Sequence, residues 1–137
     1  MQVFMPYSDF RKSLSCLDSK RLGNQIYREC LTLIKGKWKN HPVSKMWKGY
    51  EYALCEYALI GLDVLKKRGR NYPHWVEWFK QKQKEFPNTG KPFFIGNKKF
   101  HDSHKSNLLR KNMEYYKQFK WNVPNNLPYV WPSRGEV

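Results

Sequence analysis

From Val43 to Arg68 the apolar residues recur at helical spacing, and this periodicity constrains the fold more than any other feature. Val43, Met46, Trp47, Tyr50, Leu54, Tyr57, Ala58, Gly61 and Leu65 fall on one stripe of a single long helix, and Gly69 follows as a stop. An aromatic and aliphatic stripe of this kind is a core face rather than a cofactor box. The chain must therefore wrap other apolar surfaces around it.

The flanking segments supply those surfaces. Ser8 or Asp9 can cap a short helix to about Leu17, and Asp18 or Ser19 a second one that runs to about Ile34 and ends at Gly36. Pro42 suits a helical first turn after the loop Lys37-Trp38-Lys39-Asn40-His41. Pro73 opens an amphipathic helix carrying Trp75, Val76, Trp78 and Phe79 that ends before Pro87. A polar loop over 88–91 and the apolar patch Phe93-Phe94-Ile95 precede a helix over His101 to Lys111, with a further helical turn from Met113 to Phe119. The two ends differ. Gln2 to Met5 is extended and stopped by Pro6, and the prolines of Leu127-Pro128-Tyr129-Val130-Trp131-Pro132 forbid regular helix. The expectation is one mainly α domain over residues 1–137, compact, with a short extended N-terminus and a Pro/aromatic C-terminal strap.

Charge then narrows the function. The 137 residues hold 26 Lys and Arg against 11 Asp and Glu, a formal net charge of +15, which directs the chain toward nucleic acid or an anionic surface. No apolar run approaches the roughly 18 residues that span a bilayer, and the first residues lack a signal peptide's basic region. The reading is a cytoplasmic protein (host cytoplasm if viral) with no membrane partner. Cys16, Cys30 and Cys55 show no metal-ligand spacing and sit in apolar helical contexts, as small buried hydrophobes do.

Three polar constellations could carry chemistry. On a helix, Arg21, Gln25, Arg28 and Thr32 share a narrow stripe with Glu29 at its edge and Asn24 alongside, while Leu22, Ile26, Cys30 and Leu33 face away. The second is His101, Ser103, His104, Lys105, Ser106, Asn107, Arg110 and Lys111, a phosphate-contact set of hydroxyls, amide and cations. The third is Asn40-His41 ahead of a helix start, with Lys45 one turn on. Each is also readable as ordinary solvated surface.

Together they suit a metal-free enzyme acting on DNA. An amine can attack C1′ of a deoxyribose, expel the base and leave an imine that permits strand cleavage. A chain-terminal amine, with a pKa of roughly 7.7–8.0, serves better than a lysine at about 10.4. A carboxylate nearby stabilises positive charge on the sugar and moves protons. Glu29 alone adjoins an arginine within the cationic helix, with Glu51 and Asp102 as the other candidate acids. The rivals are a non-catalytic nucleic-acid-binding accessory protein and a different nucleotide-directed enzyme using His41 and His104.

Several stretches resemble the pyrimidine-dimer DNA glycosylase (endonuclease V-like) family, in its phage and bacterial branch. They are Met1-Gln2-Val3-Phe4-Met5-Pro6-Tyr7, Leu17 to Gln25, Asn40-His41-Pro42 with Met46 to Tyr50, Phe100 to Lys111, and Leu127 to Pro132. Leu22 through Glu29 also looks like the Leu…Tyr-Arg-Glu helix of the characterised enzymes, with one residue more between Leu and Glu. The resemblance implies a helical single domain whose N-terminus lies against the second helix. It makes Glu29 the catalytic glutamate, Arg28 a phosphate-binding arginine and the terminal amine, on Met1 here, the nucleophile. Arg21 falls where the characterised enzymes carry a histidine. The implied partner is double-stranded DNA with a damaged or modified base, bound by a monomer without cofactor.

Overall fold

The helical spacing is realised along most of the chain in a computed structural model, which describes residues 2–133. Helix α1 spans Phe10–Ser15, and the Asp9 carboxylate accepts from the Lys12 N–H at 2.7 Å, which satisfies one of the donors a helix start leaves unpaired. Helix α2, Ser19–Asn24, begins after Asp18. That carboxylate is turned away from the helix end, toward the Tyr116 hydroxyl and Arg21.

The helix continues past Asn24 in a different geometry. Gln25–Cys30 form a π-helical turn, closed by the Leu31 N–H reaching back to the Ile26 carbonyl, and α3, Leu31–Ile34, completes the rod. A π-turn is a wider turn that absorbs one residue beyond regular α spacing. Gln25, expected on the outward polar stripe, is buried, one turn on from buried Leu22 and next to buried Ile26.

The rod ends in a Schellman motif. Gly36 takes φ +75°, its N–H bonds the Leu33 carbonyl, and the Lys37 N–H bonds the Thr32 carbonyl. The expected long helix from Val43 is broken in two. Helix α4 is Pro42–Trp47 and α5 is Glu51–Lys67, with Gly49 at φ +87° between them. Both helices face the same core, so their apolar stripes read as one period across the break. Gly49 is the residue that marks it.

Helix α5 packs against α1, α2 and the π-turn, and Gly61 allows the approach. A Cβ at that position would meet Ile26 Cδ1 at 2.9 Å. Helix α6, Pro73–Gln83, lies along α5 and buries Phe79. Helix α7, Lys98–Lys111, is capped by the Asn97 side chain, and α8, Met113–Tyr116, runs on into a 3-10 turn to Phe119. One apolar cluster draws on residues from Val3 to Tyr116 and takes in all three cysteines, each free. No β-strand occurs among the described residues, and no helix there is long and apolar enough to cross a membrane.

Candidate active site and DNA interface

Residues 2–5 are extended and buried but have no strand to pair with, so their backbone groups need partners from side chains. Gln25 supplies two. Its Oε1 accepts from the Phe4 N–H at 2.7 Å and its Nε2 donates to the Gln2 carbonyl at 3.0 Å, as a neighbouring strand's peptide group would. The Tyr57 hydroxyl lies 2.8 Å from the Phe4 carbonyl and 3.1 Å from Gln25 Oε1. From the other side, the Met5 N–H donates to His104 Nδ1 at 2.7 Å, and the Met5 carbonyl faces His101 Nδ1 at 2.8 Å.

These partners fix both tautomers. His101 Nε2 accepts from the Gly96 N–H at 2.9 Å, so its proton is on Nδ1 and is donated to Met5. His104 accepts through Nδ1 and carries its proton on Nε2. Burial pushes the His104 pKa down to about 3, with His101 adding a smaller push, so the imidazole is neutral. Below about pH 6.5 the unfolded chain takes up a proton that folded His104 refuses until about pH 3. Stability is therefore lost as pH falls through that window, by up to roughly 1.4 kcal/mol per pH unit. Thermal unfolding followed from neutral pH to about pH 4 should show the decline. His104→Asn, which keeps an acceptor near the Nδ1 position but does not titrate, should flatten it.

The strap at the other end of the chain is held on the same helix. The Val130 N–H donates to Ser103 Oγ at 3.3 Å and the Leu127 N–H to Ser106 Oγ at 2.9 Å. Asn107 Nδ2 lies 3.4 Å from the Leu127 carbonyl, and Arg110 donates to the carbonyls of Asn125 and Leu127 at 3.0 and 3.3 Å. This corrects the phosphate-contact reading of α7. His101, Ser103, His104, Ser106 and Asn107 are all buried and bonded inward, and Arg110 is occupied by the strap. A catalytic pair of His41 and His104 fails for the same reason, since His104 has no exposed surface.

Glu29 sits where the N-terminal segment meets the π-turn. Burial raises its pKa, opposed by the terminal ammonium, the Arg28 guanidinium and a hydrogen bond from the Gln2 backbone N–H. Its Oε2 is buried and has no hydrogen-bond partner among the described residues. Arg28 beside it is exposed, as a phosphate contact must be. Arg21 and Asn24 are half-buried, and Arg21 pairs with Asp18 at 3.2 Å. Met1 lies outside the described residues.

His41 caps α4, accepting from the Val43 N–H at 3.1 Å, with its ring centred 5.7 Å from that of Trp131 of the strap in an edge-to-face contact. Burial and the terminal ammonium lower its pKa. Lys45 and Lys111 are exposed, while Lys105 lies over the Tyr7 ring at 5.1 Å and near Asp102 at 3.9 Å. Sequence reasoning missed two residues at this wall. Tyr57 reads as an ordinary member of the core stripe. Tyr129 reads as strap packing, yet its hydroxyl is in the electrostatic field of Arg110, Glu29 and Arg21, under a pKa raised first by burial. Only a chain end in need of hydrogen-bond partners could have flagged Tyr57. Among the described residues no group of three or more His, Cys, Asp or Glu is arranged to hold a metal ion.

The N-terminal part of this wall is also the part that comparison with protein families recognises. The family model described as pyrimidine dimer DNA glycosylase matches residues 1–80, from the N-terminal segment through α5 and into α6. The chain belongs to the pyrimidine dimer DNA glycosylase family. No curated protein and no solved structure matches it. As a DNA glycosylase of pyrimidine damage it carries Glu29, Arg28, Gln25 and His41 inside the matched region. Helix α7 and the strap with Tyr129 and Trp131 lie beyond that region.

Proposed function

We propose that this glycosylase excises a damaged or modified pyrimidine from duplex DNA and then cleaves the strand as a lyase, without a metal. It would act as a monomer with residues 1–137 as one domain. The amine of Met1 attacks C1′ and the glycosidic bond breaks, its electron pair leaving with the base, which takes up a proton. Loss of the amine's protons and opening of the sugar ring give an imine. Glu29 stabilises the positive charge developing on the sugar, then removes a proton from C2′ so that the C3′–O bond breaks and the phosphate leaves. Water hydrolyses the imine and restores the amine.

One observation carries the reading. The Gln2 backbone, held at its carbonyl by Gln25, directs its N–H at the Glu29 carboxylate. The Met1 amine is one residue, about 3.8 Å of chain, from that point. The raised pKa of Glu29 supports the role, because a more basic carboxylate is a better proton acceptor. Exposed Arg28, Lys45 and Lys111 provide phosphate contacts, and the net charge of +15 gives them a supporting field.

The test is incubation with duplexes that carry different pyrimidine lesions, with and without borohydride. The expected result is base release together with a covalent enzyme–DNA adduct trapped by reduction, and loss of that adduct when the N-terminal amine is methylated beforehand. Base release with no adduct would replace the amine by water as nucleophile. No release from any lesion would overturn the enzymatic reading in favour of a DNA-binding accessory protein.

A further inference from the structure

Gln2 is a polar side chain only 4% exposed, and its backbone is committed on both sides. Its N–H is directed at the Glu29 carboxylate, and its carbonyl accepts from Gln25 Nε2 at 3.0 Å. The side chain folds back on the same stretch, where Oε1 accepts from the Val3 N–H at 3.0 Å. That bond also decides which way the carboxamide faces. A backbone N–H needs an acceptor, so the oxygen lies toward Val3 and the amide nitrogen away from it.

The nitrogen so placed is a buried donor with no hydrogen-bond partner among the described residues. Glu29 Oε2 is a buried acceptor in the same condition. The two atoms share one small region. By bond lengths alone, each lies within about 6 Å of the Gln2 Cα, one at the end of its side chain and the other on the carboxylate that its N–H meets. A buried polar group left unpaired is costly, so such atoms are kept where a ligand or a water completes them.

Few groups satisfy both atoms at once. A fixed N–H donor and a carboxylate acceptor are bridged by an oxygen that accepts through a lone pair and donates through O–H. A carbonyl or phosphate oxygen has no proton for Glu29, and an ammonium has no lone pair for the amide. The reaction brings such an oxygen to this place. After strand cleavage the sugar is held as an imine on the terminal amine, one residue from Gln2, and water must reach C1′ to release it.

We propose that the Gln2 carboxamide and Glu29 together hold the water that hydrolyses the imine, which makes Gln2 a positioning residue for turnover. This deepens the amine-and-imine reading above and rests on it. The water accepts from Gln2 Nε2 and donates to Glu29 Oε2. Its oxygen bonds to C1′ while that proton passes to Glu29 and the C=N π pair moves onto nitrogen. Glu29 returns the proton to nitrogen. The C1′–N bond then breaks, its electron pair leaving on nitrogen, and the water's second proton follows as the C=O bond forms. The sugar departs as an aldehyde and the amine is restored as an ammonium. Gln2 exchanges no proton.

The test uses a duplex with an abasic site, on which the imine forms without prior base release. Wild type, Gln2→Met and Gln2→Asn are compared after intact mass has shown that each keeps Met1. Single-turnover strand cleavage reports imine formation and elimination, and borohydride quenching at successive times reports how long the adduct lasts. Gln2→Met, similar in length but without a donor, should lengthen the adduct's lifetime by about 10- to 100-fold, the scale of one lost buried hydrogen bond, and slow the first cleavage far less. Gln2→Asn, whose donor falls one methylene short, should lie between. Methoxyamine added after the first turnover attacks the imine without a held water, and should return release by Gln2→Met to the wild-type rate. An adduct that decays as fast in Gln2→Met as in wild type would overturn the proposal and leave the imine chemistry standing. Equal slowing of cleavage and decay would also overturn it, showing Gln2 to be a support for the segment. No adduct from wild type would overturn the imine reading, and the held water with it.

Discussion

Glu29→Gln should lower single-turnover base release by roughly 100- to 10,000-fold, the range that a positioned general acid–base supplies. Duplex affinity should hold or improve, because the change removes a negative charge beside exposed Arg28. The two measurements belong together at one salt concentration. Loss of turnover with retained binding marks chemistry, and loss of both would show Glu29 to be a support for the N-terminal segment. The substitution is nearly isosteric and Glu29 is only half-buried, so the fold should survive it.

Gln25→Leu should have the largest effect on stability, and should take activity with it. The carboxamide pairs the Phe4 N–H and the Gln2 carbonyl and lies 3.1 Å from the Tyr57 hydroxyl, all inside the protein. Leucine fills a similar volume but satisfies none of them, and each buried polar group left unpaired costs about 1–3 kcal/mol. A total near 3 kcal/mol corresponds to a fall in Tm of roughly 10 °C for a chain of this size. Base release measured well below the lowered Tm should still fall sharply, because the Gln2 backbone would no longer be held against Glu29. A variant that is destabilised yet fully active would separate the N-terminal segment from the reaction.

Much of the architecture was legible in the residues. The helix starts at Asp9, Pro42 and Pro73, the stop at Gly36 and the buried cysteines all follow from local chemistry. The breaks in that legibility have physical causes. The apolar period ran unbroken through Gly49 because α4 and α5 share one core. The π-turn was invisible because helical wheels assume uniform phasing, and Gln25 went to the interior because the buried backbone of residues 2–4 needs its carboxamide. Helix α7 misled for a different reason. Histidines, serines and an asparagine on a basic helix look like a surface made for phosphate, and backbone groups from both chain ends need the same donors and acceptors. Glu29 and Arg28 lie in one turn of helix, so their adjacency could be read from the local sequence. Tyr57 and Tyr129 were not, because what brings them to the wall is contact across distant parts of the chain.

The clasp formed by α7 also bears on when the wall comes into being. Residues 2–5 are made well before α7, and Met5 finds His101 and His104 only after about a hundred further residues are joined. Contacts so far apart in sequence form late, since a long loop must close before they reward the chain. Until then the side-chain partners of the first segment are Gln25, Tyr57 and Glu29, all within the first 57 residues. A nascent chain therefore carries the whole family-matched segment, residues 1–80, before the last hydrogen bonds that fix its N-terminal strap can exist. Assembly of the wall is thereby timed to the emergence of α7.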